Sequence, residues 1–374
     1  MALPKPRKGD PVGFMLYART SEEWTLGTPE RIIWSSIRHL CSREVAEEIL
    51  STVHDIQARK RRSTIARNID LYIQQAHEFY EAGQLAKANT APLFYYYSFL
   101  NLAKALGEII YPRFHKRPES YRHGVSWRPN PKYLVDLHKE NVSLTTRGVW
   151  HVTWERLMEQ PCPAPNPTQI RVRDLFALCP EIGVEYTRAL LPGIRLVGLV
   201  EPNFMVDEDF AWISFSVERD NLRAARLSGS KFLGLLNQGS GSYREVQSEN
   251  KHVLTIESKR AKRVRPRFKG SIFHLFREEM RELNVFAHLL QGEMGYSLPI
   301  QASLPIRFPQ LMVLYTLMFW LGSLVRYDPH SVSDLQESRY WILIDGFMNQ
   351  SRIWLLELFE WEFYKAETRL RTSR

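Results

Sequence analysis

The 374-residue chain has few of the features that mark several common protein classes. Its three cysteines, Cys41, Cys162 and Cys179, form no CxxC pair, so a disulfide framework and a cysteine-ligated metal are both disfavoured. No apolar run reaches the roughly 20 residues that a membrane-spanning helix needs. The basic first residues are not followed by an apolar stretch, so they do not form a secretory signal. These absences predict a cytoplasmic protein with no membrane partner.

Motifs for common catalytic chemistry are also missing. The sequence contains no GxxxxGK[ST] phosphate loop, no GxGxxG, no GxSxG and no HExxH. Nucleotide hydrolysis, dinucleotide redox chemistry, serine hydrolysis and zinc hydrolysis therefore have no support. The triplet Glu257-Ser258-Lys259 has the Glu-x-Lys spacing of one nuclease class, but that chemistry needs a second carboxylate on a neighbouring strand. We expect no cofactor and no metal.

The most conspicuous segment that is present runs from Pro92 to Ile110 and is almost entirely apolar and aromatic. At helical pitch four of its residues fall in one row, at i, i+4, i+7 and i+11. These residues, which we call the polar seam, are Tyr97, Asn101, Lys104 and Glu108. The pattern predicts a buried helix with one polar stripe.

A second apolar helix is predicted from Leu311 to Val325, with a polar stripe of its own that includes Thr316, Ser323 and Arg326. Unpaired polar groups in a core cost about 1–3 kcal/mol each, so the two stripes should satisfy each other. We therefore expect Glu108 or Asn101 to lie near Arg326. One interpretation is that this network lines a pocket with His123 at its entrance. The alternative is that the network is purely structural and fixes the register of the two helices.

Periodicity elsewhere predicts an α+β protein, mainly a helical bundle with a small antiparallel β-rich insertion. Further helices are predicted at Pro29 to His39, Ser42 to about Lys60, Ser63 to Glu81, Lys132 to Glu140, from Ser271 onward, and Trp341 to about Thr368. The expected regions are an N-terminal helical region (1–186), the β-rich insertion (187–270) and a C-terminal helical region (271–374) that packs with the first.

The charge balance favours an anionic partner. The chain has 50 Lys and Arg against 41 Asp and Glu, for a formal net charge of +9. Its densest cationic segment, the basic run KRAKRVRPRFK, could neutralise phosphates with Lys259, Arg260, Lys262, Arg263, Arg265, Arg267 and Lys269. A solvated linker between a strand and a helix would have the same composition. RNA or DNA is one expected partner, and a protein from the same operon is another.

Several segments, in order along the chain, resemble the YaaC-like family of bacterial proteins. They are the helix around Trp34 with Cys41-Ser42 after it, YYYSFLNLAKAL at 95–106, His123-Gly124, DLFALCPEIGVEY at 174–186 and LGSLVRYDP at 321–329. The resemblance implies a bacterial cytoplasmic protein and says little about a reaction.

The helical core also resembles the HEPN group, helical bundles that often dimerise and that include metal-independent ribonucleases of toxin and antiviral systems. In those ribonucleases an Arg, followed by a His after four to six intervening residues, stabilises the phosphorane charge while the His moves protons. The chain contains three such pairs, about the number expected by chance. Arg281 and His288 are the best of them because one predicted helix would place both on the same face.

Two hypotheses follow. The first is a non-enzymatic binding or accessory protein of the bacterial cytoplasm, part of an antiviral system, that contacts nucleic acid or a protein partner through its basic surface and forms a homodimer. The second is a HEPN-type ribonuclease in which Arg281 stabilises charge and His288 is the acid and base.

Overall fold

A computed structural model of the chain describes residues 10–13, 19–20, 29–111, 113–129, 135–145, 147–163, 168–189, 196–207, 210–237, 243–248, 250–263, 278–290, 293–300, 304–365 and 368–369. The chain divides into two compact units. The β unit comprises Met1–Ala18 and Gly193–Gln301, and the helical unit comprises Arg19–Pro192 and Ala302–Arg374.

The α-helices are α1 (Pro29–His39), α2 (Arg43–Thr52), α3 (Arg59–Leu85), α4 (Ala91–Ile110), α5 (Val149–Met158), α6 (Val172–Phe176), α7 (Gly183–Arg188), α8 (Arg219–Ala224), α9 (Gly229–Leu236), α10 (Gln310–Tyr327), α11 (Pro329–Gln336), α12 (Trp341–Gly346) and α13 (Arg352–Tyr364). Of these, α8 and α9 belong to the β unit. Residues 278–283 are also helical. Short 3₁₀ turns at Phe114–Lys116 and Pro118–Tyr121 follow α4.

The strands are β1 (Asp10–Gly13), β2 (Arg19–Thr20), β3 (Val125–Ser126), β4 (Asn141–Leu144), β5 (Thr168–Arg171), β6 (Leu196–Gly198), β7 (Val200–Asp207), β8 (Phe210–Glu218), β9 (Tyr243–Val246), β10 (Val253–Ser258), β11 (Lys262–Arg263), β12 (Phe286–Leu290), β13 (Glu293–Pro299) and β14 (Thr368–Arg369). The β unit holds an antiparallel sheet in the order β1-β7-β8-β10-β9, with β11 on β8, and a second sheet in the order β12-β13-β6. The predicted class, α+β and mainly helical, is confirmed.

The core of the helical unit is built around α4, which packs on α3 and α10. Phe99, Leu102 and Leu106 of α4 are fully buried, as the apolar pattern of the segment predicts. The C-terminal end of α10 approaches the first turns of α4 closely because Gly322 has no side chain: a Cβ there would lie 3.0 Å from Cβ of Tyr96. The predicted helix over 92–110 is confirmed.

Three predicted helices are wrong in extent. The helix expected after Ser42 ends at Thr52, because the chain turns at Asp55, a residue with φ of 51°. The helix expected from Trp341 to Thr368 contains a π-helical turn at Phe347–Ser351 and ends at Tyr364. The expected helix over 132–140 lies partly outside the described residues, and 137–139 form a turn.

The β-rich insertion extends further along the chain than predicted. Helical character was expected throughout the segment after Ser271, whereas the described residues 286–290 and 293–299 are the paired strands β12 and β13. Strand pairing therefore continues beyond residue 270, and the compact β unit reaches Gln301.

Candidate nucleic-acid interface

The polar seam of α4 has a closed end at Glu108. This carboxylate is fully buried and accepts hydrogen bonds from Asn68 Nδ2 at 3.0 Å, from the backbone N–H of His115 at 2.7 Å and from His115 Nδ1 at 2.8 Å. The bonds connect α4 to α3 and to the 3₁₀ turn after α4. Asn101, two positions earlier in the seam, is also buried. A buried carboxylate that is fully hydrogen-bonded stabilises the helix register, so this end is structural.

The opposite end of the seam faces solvent and contacts Arg326. Nη1 of Arg326 donates to the hydroxyl of Tyr97 at 2.9 Å. The hydrogen bond of Arg326 therefore goes to Tyr97, in the first turns of α4, and not to Glu108 or Asn101. The expectation that Glu108 lies near Arg326 is wrong, and the same expectation for Asn101 stays a prediction. Tyr97 and Glu108 are 11 residues apart, about 16 Å along a helix axis. The polar stripe of α10 also finds a hydrogen-bond partner outside α4: the hydroxyl of Thr316 accepts from the indole N–H of Trp150 at 2.9 Å.

His123 lies beside this open end. Its Nδ1 hydrogen-bonds to the hydroxyl of Tyr96 at 2.5 Å, and its ring centroid is 5.9 Å from that of Phe319. Burial lowers the pKa of His123, and the positive charges of Lys104 and Arg326 lower it further. The ring is therefore neutral at pH 7 and has two cations as neighbours.

Lys104 is the half-buried member of the seam. Its Nζ lies 5.9 Å from the centroid of the Tyr72 ring, and burial lowers the pKa of its ammonium. In the part of the chain that the structure describes, no carboxylate lies within 4.0 Å of Lys104 or of Arg326. A desolvated ammonium without a counterion is costly, so this cation is available to an external anion.

Tyrosine rings surround these cations. Tyr121 is 77% exposed and Tyr327 is 57% exposed, unusual values for such large rings. The guanidinium of Arg326 lies 5.0 Å from the Tyr327 centroid. Burial, mainly, and then the charge of Glu108 raise the pKa of Tyr72 to about 12, and Tyr121 is close enough to contribute. We call the whole set the cation–aromatic surface: Tyr72, Tyr97, Lys104, Tyr121, His123, Arg326 and Tyr327.

Sequence reasoning identified four of these residues, Tyr97, Lys104, His123 and Arg326. It missed the three other tyrosines because they come from different elements: α3, the turn before His123, and the end of α10. The one available signal was local, since Tyr121 and Tyr327 each lie within two residues of a predicted site residue.

A model of the family described as YaaC-like Protein matches residues 38–362 of the chain. The chain belongs to the YaaC-like family. The matched range contains every residue of the cation–aromatic surface. Comparison with curated proteins gave no match, and comparison with solved structures gave none. The resemblance to the HEPN group has no support from these comparisons.

The basic run of the YaaC-like chain is only partly described. Lys259, Arg260 and Arg263 are exposed. Lys262 is not available to a ligand, because its Nζ lies 3.0 Å from Glu279 and 3.3 Å from Glu278. Arg265, Arg267 and Lys269 lie outside the described residues.

Arg281 and His288 do not share one helical face, so the prediction that one helix carries both is wrong. Arg281 lies in the helical residues 278–283, the chain turns at Asn284 with φ of 56°, and His288 lies on β12. His288 is 6% exposed, and burial lowers its pKa to about 4. A catalytic role for the pair stays a prediction, now without its geometric reason.

Two other expectations concern metals and membranes. Glu257 lies 3.6 Å from Arg244, so an arginine is the close charged partner of the carboxylate in the Glu-x-Lys triplet. The described residues contain no group of three or more His, Cys, Asp or Glu placed to hold a metal ion. None of the described helices combines the length and the apolar character needed to cross a membrane.

Proposed function

We propose that this YaaC-like protein binds single-stranded nucleic acid, without cleaving it, through the cation–aromatic surface. The observation that carries the proposal is the charge arrangement around His123. Lys104 and Arg326 both act on its pKa, and no described carboxylate neutralises either cation. Lys104 is also partly desolvated, whereas Arg326 is exposed. Such cations favour a polyanion as ligand, because binding also releases the counterions of the nucleic acid.

The tyrosines favour a single strand over a duplex. Exposed aromatic rings stack on unpaired bases, and each such contact contributes about 1–3 kcal/mol. Tyr121 and Tyr327 present rings to solvent, and the guanidinium of Arg326 beside Tyr327 adds a cation–π surface for a base. The base faces of a duplex are already stacked, so a duplex would use only the cations.

The other parts of the first hypothesis belong to the same proposal. The exposed cations of the basic run, Lys259, Arg260 and Arg263, are a separate candidate contact for nucleic acid on the β unit. The bacterial cytoplasm rests on the YaaC-like resemblance, whereas a role in antiviral defence and a homodimer rest on the resemblance to the HEPN group. A protein partner that contacts the basic surface is part of the same proposal. The HEPN-type ribonuclease is the competing function, and no observation of the described residues favours it.

The test is fluorescence anisotropy with a labelled oligouridine strand, repeated over a series of salt concentrations. Lys104→Gln and Arg326→Gln should each weaken binding and reduce the salt slope by about 0.7, the value for one phosphate contact to a single strand. Tyr121→Ala should weaken binding about tenfold with an unchanged salt slope, because stacking is uncharged. Arg188→Gln, an exposed arginine on α7, is the matched control and should have no effect.

Two results would contradict the proposal. If all three variants bind like the control, the surface is not the interface. If gel analysis shows that the protein cleaves the strand and that Arg281→Ala or His288→Ala abolishes cleavage, the ribonuclease is the correct function. Equal affinity for a duplex of the same sequence would remove the stacking part of the argument.

A further inference from the structure

A separate cavity of about 200 Å³ lies between the segment after α4 and the first turns of α5. Liquid water occupies about 30 Å³ per molecule, so the space suits a ligand the size of roughly six waters. Its lining includes Arg117, Arg147, His151, Glu119 and Glu155. All of these residues belong to the helical unit.

Two arginines at the cavity have no carboxylate partner within the described part of the chain. Arg117 stacks over the ring of Tyr111, with its guanidinium 4.5 Å from the ring centroid, and Arg147 is exposed. Among the described residues neither arginine lies within 4.0 Å of an acidic oxygen. Glu155 is already hydrogen-bonded to other residues of the cavity lining: it accepts from the hydroxyl of Tyr111 at 3.0 Å and from the backbone N–H of Cys162 at 3.2 Å.

His151 is the buried histidine of the cavity lining. It is 6% exposed, lines the cavity, and neither of its ring nitrogens has a hydrogen-bond partner among the described atoms. The backbone of Thr145 is close enough to act on its pKa but does not complete a hydrogen bond to either nitrogen. Both ring nitrogens are also shielded from solvent, so in this conformation His151 forms part of the cavity wall and does not contact a ligand through them.

We infer that this cavity is a binding site for a small oxyanion, the phosphate or carboxylate group of a metabolite. Arg117 and Arg147 bind the charge, because guanidinium groups make paired hydrogen bonds to both kinds of oxyanion. Glu119, the remaining carboxylate of the lining, accepts from a hydroxyl or ammonium group of the same ligand.

The experiment is isothermal titration calorimetry of the full chain in chloride buffer, with inorganic phosphate and with malonate as separate probes. We expect at least one probe to bind saturably with a Kd at or below about 10 mM, since isolated head groups bind weakly. Arg117→Gln and Arg147→Gln should each reduce the affinity about tenfold or more. Lys116→Gln, an exposed lysine in the same 3₁₀ segment that does not line the cavity, should leave the affinity unchanged.

The probes and variants separate the outcomes. Binding of phosphate alone or malonate alone identifies the head group and supports the site, provided that the two arginine variants lose it. Absence of saturable binding for both probes overturns the inference. Binding that survives both arginine variants and disappears in Lys104→Gln overturns it as well, because the anion would then occupy the cation–aromatic surface. Circular dichroism spectra that match the wild type establish that the arginine variants are folded.

Discussion

Lys104 gives the sharpest prediction, because stability and binding should change in opposite directions. Its ammonium is half buried, burial lowers its pKa, and its described neighbours include a tyrosine ring but no carboxylate. Lys104→Met keeps the aliphatic stem and removes the charge that must be desolvated. We expect the variant to be more stable than the wild type and to bind a single strand more weakly.

The expected gain in the free energy of unfolding of Lys104→Met is the difference between two opposing contributions. A cation–π contact at 5.9 Å contributes about 0.5–1 kcal/mol at an exposed site, and this is lost in the variant. The free-energy cost of desolvating an unpaired charge is larger than this cation–π contribution, and the variant avoids that cost. The thioether of Met also buries more apolar surface. The net stabilisation should be about 1 kcal/mol near pH 7.

The gain should also depend on pH. Because the pKa of Lys104 is lower in the folded chain than the 10.5 of the free side chain, the unfolded chain holds more protons between the two values. The stability of the wild type then rises with pH across that window, and the penalty is complete below it. The advantage of Lys104→Met should therefore shrink as the pH approaches 10.5.

Urea unfolding followed by tryptophan fluorescence measures the effect. Among the described tryptophans only Trp212 belongs to the β unit, so the signal reports mainly on the helical unit. Lys87→Met, at an exposed lysine, is the matched control, with no expected change in stability or binding. The reasoning is refuted if Lys104→Met loses stability, which would reveal a stabilising partner for the ammonium, or if it binds the oligouridine strand as well as the control.

Two further predictions concern buried groups. Asn68→Leu leaves one oxygen of Glu108 without its hydrogen-bond donor, so urea unfolding should show a free energy of unfolding about 1–3 kcal/mol lower. The control Asn349→Leu changes an exposed residue and should lower it little. Equal losses in the two variants would mean that the Glu108 network does not stabilise the helical unit. The pKa of His288 falls from 6.5 to about 4 on folding, so the β unit should lose up to about 3 kcal/mol as the pH falls between those values, measured by hydrogen exchange of β12 amides. His288→Leu should remove this loss, the exposed His252→Leu should keep it, and identical profiles for both would contradict a buried neutral His288.

Helical periodicity correctly predicted the central helix because α4 is apolar on almost every face, so no alternative structure could bury it. The same periodicity placed its polar residues on one stripe, and the structure agrees. It could not predict their partners, because a partner depends on where α10 crosses α4. Gly322 sets that crossing through a close approach to Tyr96, and nothing in a single sequence distinguishes this glycine from one in a flexible helix.

The error at His288 has a local cause. The segment after Ser271 is apolar enough to suggest a helix, yet Asn284 adopts a left-handed conformation and ends it. Asn tolerates that conformation better than most residues, so it was a usable stop signal. The residues that follow, from Phe286, satisfy their backbone by pairing with β13, a contact between strands that periodicity within one segment does not reveal.

The number of hydrogen-bond and ion-pair partners of each polar residue on α4 distinguishes a structural residue from a candidate binding residue. The presence of a polar stripe alone does not. Glu108 has three donors and no exposure, so a change there should affect folding alone. Lys104 has the same helical face and a similarly apolar surrounding but no counterion among the described residues, so it destabilises the fold. A charge held at such a cost is expected where a ligand supplies the missing counterion. The open end of the seam, rather than the basic run, is therefore the first place to test for the proposed binding of nucleic acid.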